Sequence, residues 1–195
     1  LPYESISAGF SRRIITDYTA TEVSQDIDGR WVARPFNIGS ARANGLELET
    51  KLPLTLLIPS GPAIDLRGSF SRNWSSVAQV PGPGNRIAEQ VPLQASLSAD
   101  YAIDPVTVGG SFVIRQGAWT TVTTTQSTFS NTRRDLDIYA RWKMSKQSQL
   151  RVTAANVFAQ ESVRSAQFRD LAGSATRTTV TPGYVVVRAL LETRF

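Results

Sequence analysis

The stretch "DLDIYARWKM", residues 135–144, decides the fold. Leu136, Ile138, Ala140, Trp142 and Met144 hold its even positions, and Asp135, Asp137, Tyr139, Arg141 and Lys143 hold the odd ones. Successive side chains of an extended strand point to opposite faces, so this sequence makes one apolar face and one charged face. A helical winding of the same residues would mix the two sets around the axis. The period of two recurs outward in both directions. From Val91 to Tyr101 the odd positions are Val, Leu, Ala, Leu, Ala and Tyr, with Gln94, Ser96, Ser98 and Asp100 between them. Comparable alternation runs through Ser5–Ile14, Ala43–Leu52, Ile64–Trp74, Val106–Arg115 and Leu150–Phe158. The chain closes on "VVVRALLETRF", residues 185–195, with Val185, Val187, Ala189, Leu191 and Phe195 on alternate positions. The expectation is about eight antiparallel strands of roughly ten residues each. Residues 30–52 admit either one long strand kinked near 37–42 or two strands.

Composition narrows the chemistry. The 195 residues include no Cys and no His. Thiol nucleophiles, His-based catalytic pairs, disulfides and Cys/His zinc sites are therefore excluded, and no cofactor is expected. Lys plus Arg outnumber Asp plus Glu by 21 to 16. The basic residues are dispersed singly or in pairs without interleaved aromatics, which argues against a nucleic-acid partner. No apolar run reaches the length of a spanning helix. The first ten residues, "LPYESISAGF", lack the basic and apolar regions of a secretion signal.

Alternation alone fits a soluble sandwich or barrel as well as a membrane barrel. Three features favour the membrane. The connections "AIDP" (102–105) and "MSKQS" (144–148) are tight, whereas 75–90, 118–133 and 159–181 are long. Short turns at one end and long loops at the other are the pattern of outer-membrane barrels. Aromatics stand near strand ends: Trp74, Trp119, Phe158 and Tyr184 by the long loops, and Tyr101, Trp142 and Phe195 by the short turns. These would form two interfacial girdles. The polar face carries mixed charges along single strands, such as Glu47, Glu49 and Lys51, or Arg188, Glu192 and Arg194. A water-filled lumen accommodates them and a small apolar core does not. A ten-residue strand tilted by about 45° also spans an apolar band of about 25 Å.

Two resemblances follow. The last strand resembles the C-terminal assembly signal of bacterial outer-membrane barrels, which implies that the barrel assembly machinery would read Val187, Ala189, Leu191 and Phe195. "NIGSARANGLELE", residues 37–49, resembles the Asn-x-Gly-x-Ala-x-x-x-Gly-x-Glu segment in the C-terminal half of TonB-dependent receptors, with Asn37, Gly39, Ala41, Gly45 and Glu47 on those places. "SISAGFSRRIITDY", "RGSFSRNWS", "EQVPLQASLSADY" and "LRVTAANVFAQ" resemble neighbouring strands of that family, in order. The resemblance implies an all-β, antiparallel transmembrane barrel in the bacterial outer membrane. Residues 1–195 would be the C-terminal portion of a 22-strand barrel, with the plug domain and the TonB-contacting segment absent from this chain. The implied partners are outer-membrane lipid, the plug and remaining strands of the same receptor, the TonB complex and the barrel assembly machinery. The implied function is energy-coupled uptake of a ferric siderophore, a cobalamin or a saccharide, without enzymatic activity. The alternative is a stand-alone eight-stranded barrel with a structural or adhesive role.

The motif also has a local reading. Gly39 and Gly45 suit a bulge or bend, and Asn37 can bond its own backbone. The carboxylate pairs Glu47 with Glu49 and Asp135 with Asp137 share a face and are expected to neutralise Arg141, Arg151 or Arg188 rather than to perform acid–base chemistry. The loop "TTVTTTQSTFSNT" (120–132) is a candidate ligand contact or simply an exposed polar segment. Ligand-binding residues are not legible at this level.

Overall fold

The computed structural model describes residues 4–171 and 173–194. Fourteen β-strands and one short 3-10 turn, Leu54–Leu56, make up its regular structure. Eight strands form one antiparallel sheet: β1 (Ser5–Ile15), β4 (Ala41–Pro53), β5 (Ile64–Val77), β6 (Leu93–Ile103), β7 (Val106–Arg115), β10 (Arg133–Lys143), β11 (Ser148–Ala155) and β14 (Val186–Thr193). They neighbour one another in chain order, and β1 and β14 are the two outer strands. These are the eight alternating stretches of the sequence, with ends shifted by a few residues. The segment 30–52 is two strands, β3 (Trp31–Asn37) and β4, separated at Gly39 with φ +87°.

Cross-strand register aligns the alternation over the whole sheet. Leu136 lies opposite Phe112, which lies opposite Leu97. Ala140 lies opposite Val108 and Val152, and Val152 opposite Ala189. Phe70 lies opposite Ala95 and Leu48, and Leu48 opposite Ala8. One face is thus apolar from edge to edge except in the rows nearest the long loops, where Arg12, Arg42, Arg72 and Arg134 stand. Among the described residues no second layer covers it: Ile6, Phe10, Leu48, Leu97, Ile138, Trp142, Val187 and Leu191 are all exposed. The buried hydrophobic residues among those described are instead Ile38, Ala41, Val77 and Val80. This cluster sits at the loop end of the polar face, joined by Ile15, Tyr18, Ala20 and Ile87. A water-soluble domain of this size buries its apolar strand faces; here they are the outside of the molecule. Strand β14 is less strict, with Val186 and Leu190 on the polar side.

The short-turn end is built as the sequence suggests for two of its connections. Ser145 Oγ accepts the N–H groups of Gln147 and Ser148, at 3.1 and 3.0 Å, closing the β10–β11 turn. Residues 104–105 alone join β6 to β7. The β4–β5 connection at the same end is longer and carries the 3-10 turn, with Leu56, Leu57 and Ile58 exposed.

Two of the three long loops carry strands of their own. Residues 118–133 and 159–181 contribute β8 (Ala118–Thr121), β9 (Gln126–Ser130), β12 (Ser162–Arg169) and β13 (Ser174–Thr181), which form a second sheet in the order β13-β12-β9-β8. Strand β2 (Thr19–Gln25) pairs with β3 as a separate hairpin. Its turn is held by Asp26 Oδ1, which accepts the N–H groups of Asp28 and Arg30, and Gly29 there has φ +77°. Trp119 accordingly does not cap a strand of the large sheet. It lies in β8 with its ring 5.1 Å from that of Phe129 on β9. Phe158 folds back against Phe112 on the apolar face, with ring centroids 6.3 Å apart.

Leu97 is 57% exposed in the middle of the apolar face, and Ser96 points the other way to bond Ser69 Oγ at 2.7 Å. Leu97→Arg is expected to destabilise the membrane-inserted protein by about 2–4 kcal/mol. Ser96→Arg is expected to cost about 1 kcal/mol, the loss of one hydrogen bond. Unfolding titrations of the protein in lipid would measure both, and equal effects would contradict the assignment of faces.

Candidate functional site

The polar face holds the charged residues in ordered cross-strand rows. One row crosses Asp100 on β6, Gly109 on β7, Tyr139 on β10 and Thr153 on β11. Tyr139 Oη donates to Asp100 Oδ1 at 2.6 Å, reaching across the intervening strand. It can do so because position 109 is glycine. A Cβ there would collide with Asp100 Oδ1 and come within 2.7 Å of the Tyr139 ring. Arg151 stacks over the Tyr139 ring at 4.8 Å from its centroid, a cation–π contact. Arg67 reaches the other carboxylate oxygen of Asp100 at 3.9 Å. Arg141 donates to Thr107 Oγ1 at 3.3 Å.

A second network lies nearer the long loops. Arg133 and Arg115 stand directly opposite one another on β10 and β7. Asp135 bridges these like charges, accepting from Arg133 at 2.9 Å and from Arg115 at 3.3 Å. Gln94 accepts a further bond from Arg115 at 3.3 Å. The expected partners of the carboxylates are corrected on this point. Asp135 pairs with Arg115 and Arg133, not with Arg141, Arg151 or Arg188, and Asp137 accepts the backbone N–H of Asn156 at 2.8 Å. Register explains it: Arg115 is two residues from the position opposite Asp135 and on the same face, whereas Arg141 is six residues along the strand. Glu47 and Glu49 share the polar face of β4, opposite Ser71 and Ser69.

At the mouth, the loop-borne elements arch over this polar face. Asn85 Nδ2 donates to the carbonyls of Val77 and Val80, folding the 78–91 segment back on itself. Tyr18 Oη accepts from Ala88 N, and Thr121 N donates to Gly84 O, tying that segment to the chain after β1 and to β8. Gln126 Nε2 donates to Val23 O, and Trp31 meets Phe168 edge-on at 5.0 Å, joining the β2–β3 hairpin to the second sheet. These contacts border a half-open cavity of about 840 Å³. Arg115 and Arg133 lie at its floor, Arg164 and Arg177 on the wall made by β12 and β13, and Glu89 is the one acidic residue lining it among the described residues. Arg164 and Arg177 are diagonal neighbours, since Arg177 opposes Ala166 while Arg164 opposes Thr179. Among the described residues neither has an acidic partner. No spacing in the sequence links these four arginines, because strands on three different hairpins bring them together. Thr120, Thr128 and Asn131 of the 120–132 segment line the same cavity.

The motif residues lie beside the mouth. Asn37 ends β3; its Oδ1 accepts Gly39 N at 2.8 Å and its Nδ2 donates to Asp17 at 3.0 Å. Gly39 takes its positive φ against the Gln79 side chain, which a Cβ would strike. Ala41 is 1% exposed in the buried cluster. A Cβ on Gly45 would meet Ser11 Oγ at 2.8 Å and Asn73 Oδ1 at 3.0 Å. Glu47 follows on the polar face. Val187, Ala189 and Leu191 lie on the apolar side of β14, and Phe195 lies outside the described residues.

The Gly109–Tyr139–Asp100 arrangement generates a coupling. Gly109→Ala and Tyr139→Ala should each lower stability, and the double variant should lose less than the sum, because the clash of the new methyl with the ring disappears with the ring. The expected coupling is about 0.5–3 kcal/mol in a double-mutant cycle read from unfolding titrations. Strict additivity would contradict this account of Gly109.

The sheet thus has one apolar face, one polar face and an arginine-lined mouth. The family model described as "TonB dependent receptor-like, beta-barrel" matches residues 8–158, from within β1 to just past β11. No curated protein and no solved structure matches the chain. The matched family consists of receptor and transport barrels and is not an enzyme class. The match covers well over half of the sequence, and the chain belongs to the TonB-dependent receptor-like β-barrel family.

Proposed function

We propose that this chain is the C-terminal barrel segment of an outer-membrane receptor that takes up a scarce ligand with energy delivered through TonB. The observation that carries the proposal is the conjunction of the family match with an eight-strand sheet whose apolar face has no protein cover. The plug domain, the remaining strands of a 22-strand barrel and the TonB-contacting segment belong to the rest of the receptor in this reading. The sheet order supports a larger barrel over a stand-alone one. Among the described residues β1 and β14 share no ladder, so each offers a free edge to further strands. Strand β14 then serves as the segment read by the barrel assembly machinery, through Val187, Ala189, Leu191 and Phe195.

Of the three ligand classes considered, a negatively charged one fits the mouth best. Four arginines and a single glutamate line the cavity, and Asp135 neutralises only part of that charge. An anionic ferric siderophore would be attracted by this field, whereas a saccharide would gain little from it. Cells carrying or lacking the receptor can be given labelled ferric citrate, cobalamin or maltotriose, with and without a protonophore. Receptor-dependent accumulation of the anionic complex is expected, abolished when the protonophore collapses the inner-membrane gradient. Accumulation that persists after the protonophore, as through an open pore, would contradict the proposal.

A further inference from the structure

The apolar face carries arginines at one end only. Its charged residues on the eight-strand sheet are Arg12 on β1, Arg42 on β4, Arg72 on β5 and Arg134 on β10, all within the rows nearest the long loops. All four are exposed. No Asp or Glu shares this face of β1, β4 or β5, and none of the four has an acidic partner among the described residues. Three of them surround one spot. Arg12 lies directly opposite Asn44, which lies directly opposite Trp74. Arg42 is one diagonal step from Arg12, because it opposes Ile14. Arg72 lies one step below Trp74 on the same face and donates to Gln116 at 3.2 Å.

The geometry points to a lipid-phosphate site on the outer wall of the barrel, formed by Arg12, Arg42 and Asn44 and flanked by Trp74 and Arg72. This inference rests on the membrane placement proposed above. Two guanidinium groups on diagonal positions repel each other when nothing lies between them. An exposed arginine on a lipid-facing strand lifts its head to the interface, where the available counter-charge is the phosphate of a headgroup. Guanidinium forks match phosphate oxygens in pairs, and the Asn44 amide adds a further donor. Trp74, 47% exposed in the same row, sits where an indole favours the interface. The opposite end of the face shows no such arrangement: Ile6, Leu52, Ile64, Ile103 and Trp142 occupy it without a basic residue. Long loops mark the outward end of such a barrel, so the site addresses the outer leaflet.

The test uses the whole receptor in detergent, titrated with short-chain phosphatidic acid, with diacylglycerol of the same chain length, or with inorganic phosphate. Retained lipid is read by native mass spectrometry. The wild-type receptor should retain phosphatidic acid and not diacylglycerol. Arg12→Gln combined with Arg42→Gln should weaken that retention on the order of ten-fold or more, as expected for two charge-assisted contacts. Arg13→Gln, one residue away on the polar face, should leave it unchanged. Heat-modifiable mobility on gels confirms that each variant is folded. Equal retention by wild type and the double variant would overturn the site, as would competition by inorganic phosphate as strong as that of the lipid. If no lipid of either kind is retained by any variant and Leu97→Arg is also neutral, the membrane placement itself fails, which separates that failure from failure of the site alone.

Discussion

An apolar sheet face with nothing to cover it is the constraint on which the rest of the structure depends. Eight strands place leucine, valine, alanine and aromatic side chains in register on one side, and among the described residues no helix or second sheet lies against them. In water that surface would drive aggregation, at about 25 cal/mol for each Å² left wet. In a bilayer the same surface is satisfied by acyl chains, and the backbone is satisfied by the inter-strand ladders, which is why sheets of this kind cross membranes. The remaining features follow. Charges move to the opposite face or to the long-loop end, the few buried hydrophobics gather at the mouth, and the outer edges β1 and β14 call for further strands.

The polar face is then free to be specific. Its rows of charge are bridged across strands: Asp135 between Arg133 and Arg115, and Asp100 between Tyr139 and Arg67. Gly109 matters because its missing side chain leaves room for the Tyr139 ring to lie over the strand. Such bridges fix the register of neighbouring strands, in which a slip of one residue would exchange lipid-facing and lumen-facing side chains. At the mouth the bridging stops. Arg164 and Arg177 lack acidic partners among the described residues, and the cavity keeps an excess of positive charge. Both side chains are exposed, so their charge stays solvated and adds to a positive field at the mouth.

The large sheet was legible in the sequence because its two faces differ so sharply. Leu136, Ile138, Ala140 and Trp142 against Asp137, Tyr139 and Arg141 leave one reading of the period. The second sheet was not legible, for the converse reason. "AWTT" and "QSTFS" in β8 and β9, and "SATRTTVT" in β13, put threonine and serine on both faces, so no alternation marks them as strands. Their pairing comes from Asn131, which bonds the backbone of Glu161 and Val163, and from the hairpin between β12 and β13. The break within residues 30–52 was half legible: Asn37 and Gly39 signalled a turn, and the structure shows the side-chain bond and the positive φ that make it. The arginine cavity was invisible, since Arg115, Arg133, Arg164 and Arg177 are gathered by strand order rather than by spacing.

In the proposed receptor the even-numbered face of β10 looks at lipid and the odd-numbered face at an aqueous lumen. Spin labels placed one at a time at positions 136 to 142 of the receptor in bilayers test it most directly. Collision rates with molecular oxygen report lipid exposure, and those with a water-soluble nickel chelate report aqueous exposure. Two oscillations of period two in opposite phase are expected, with oxygen maxima at Leu136, Ile138, Ala140 and Trp142 and chelate maxima at Asp137, Tyr139 and Arg141. Oscillations of reversed phase, or a profile without alternation, would contradict that placement.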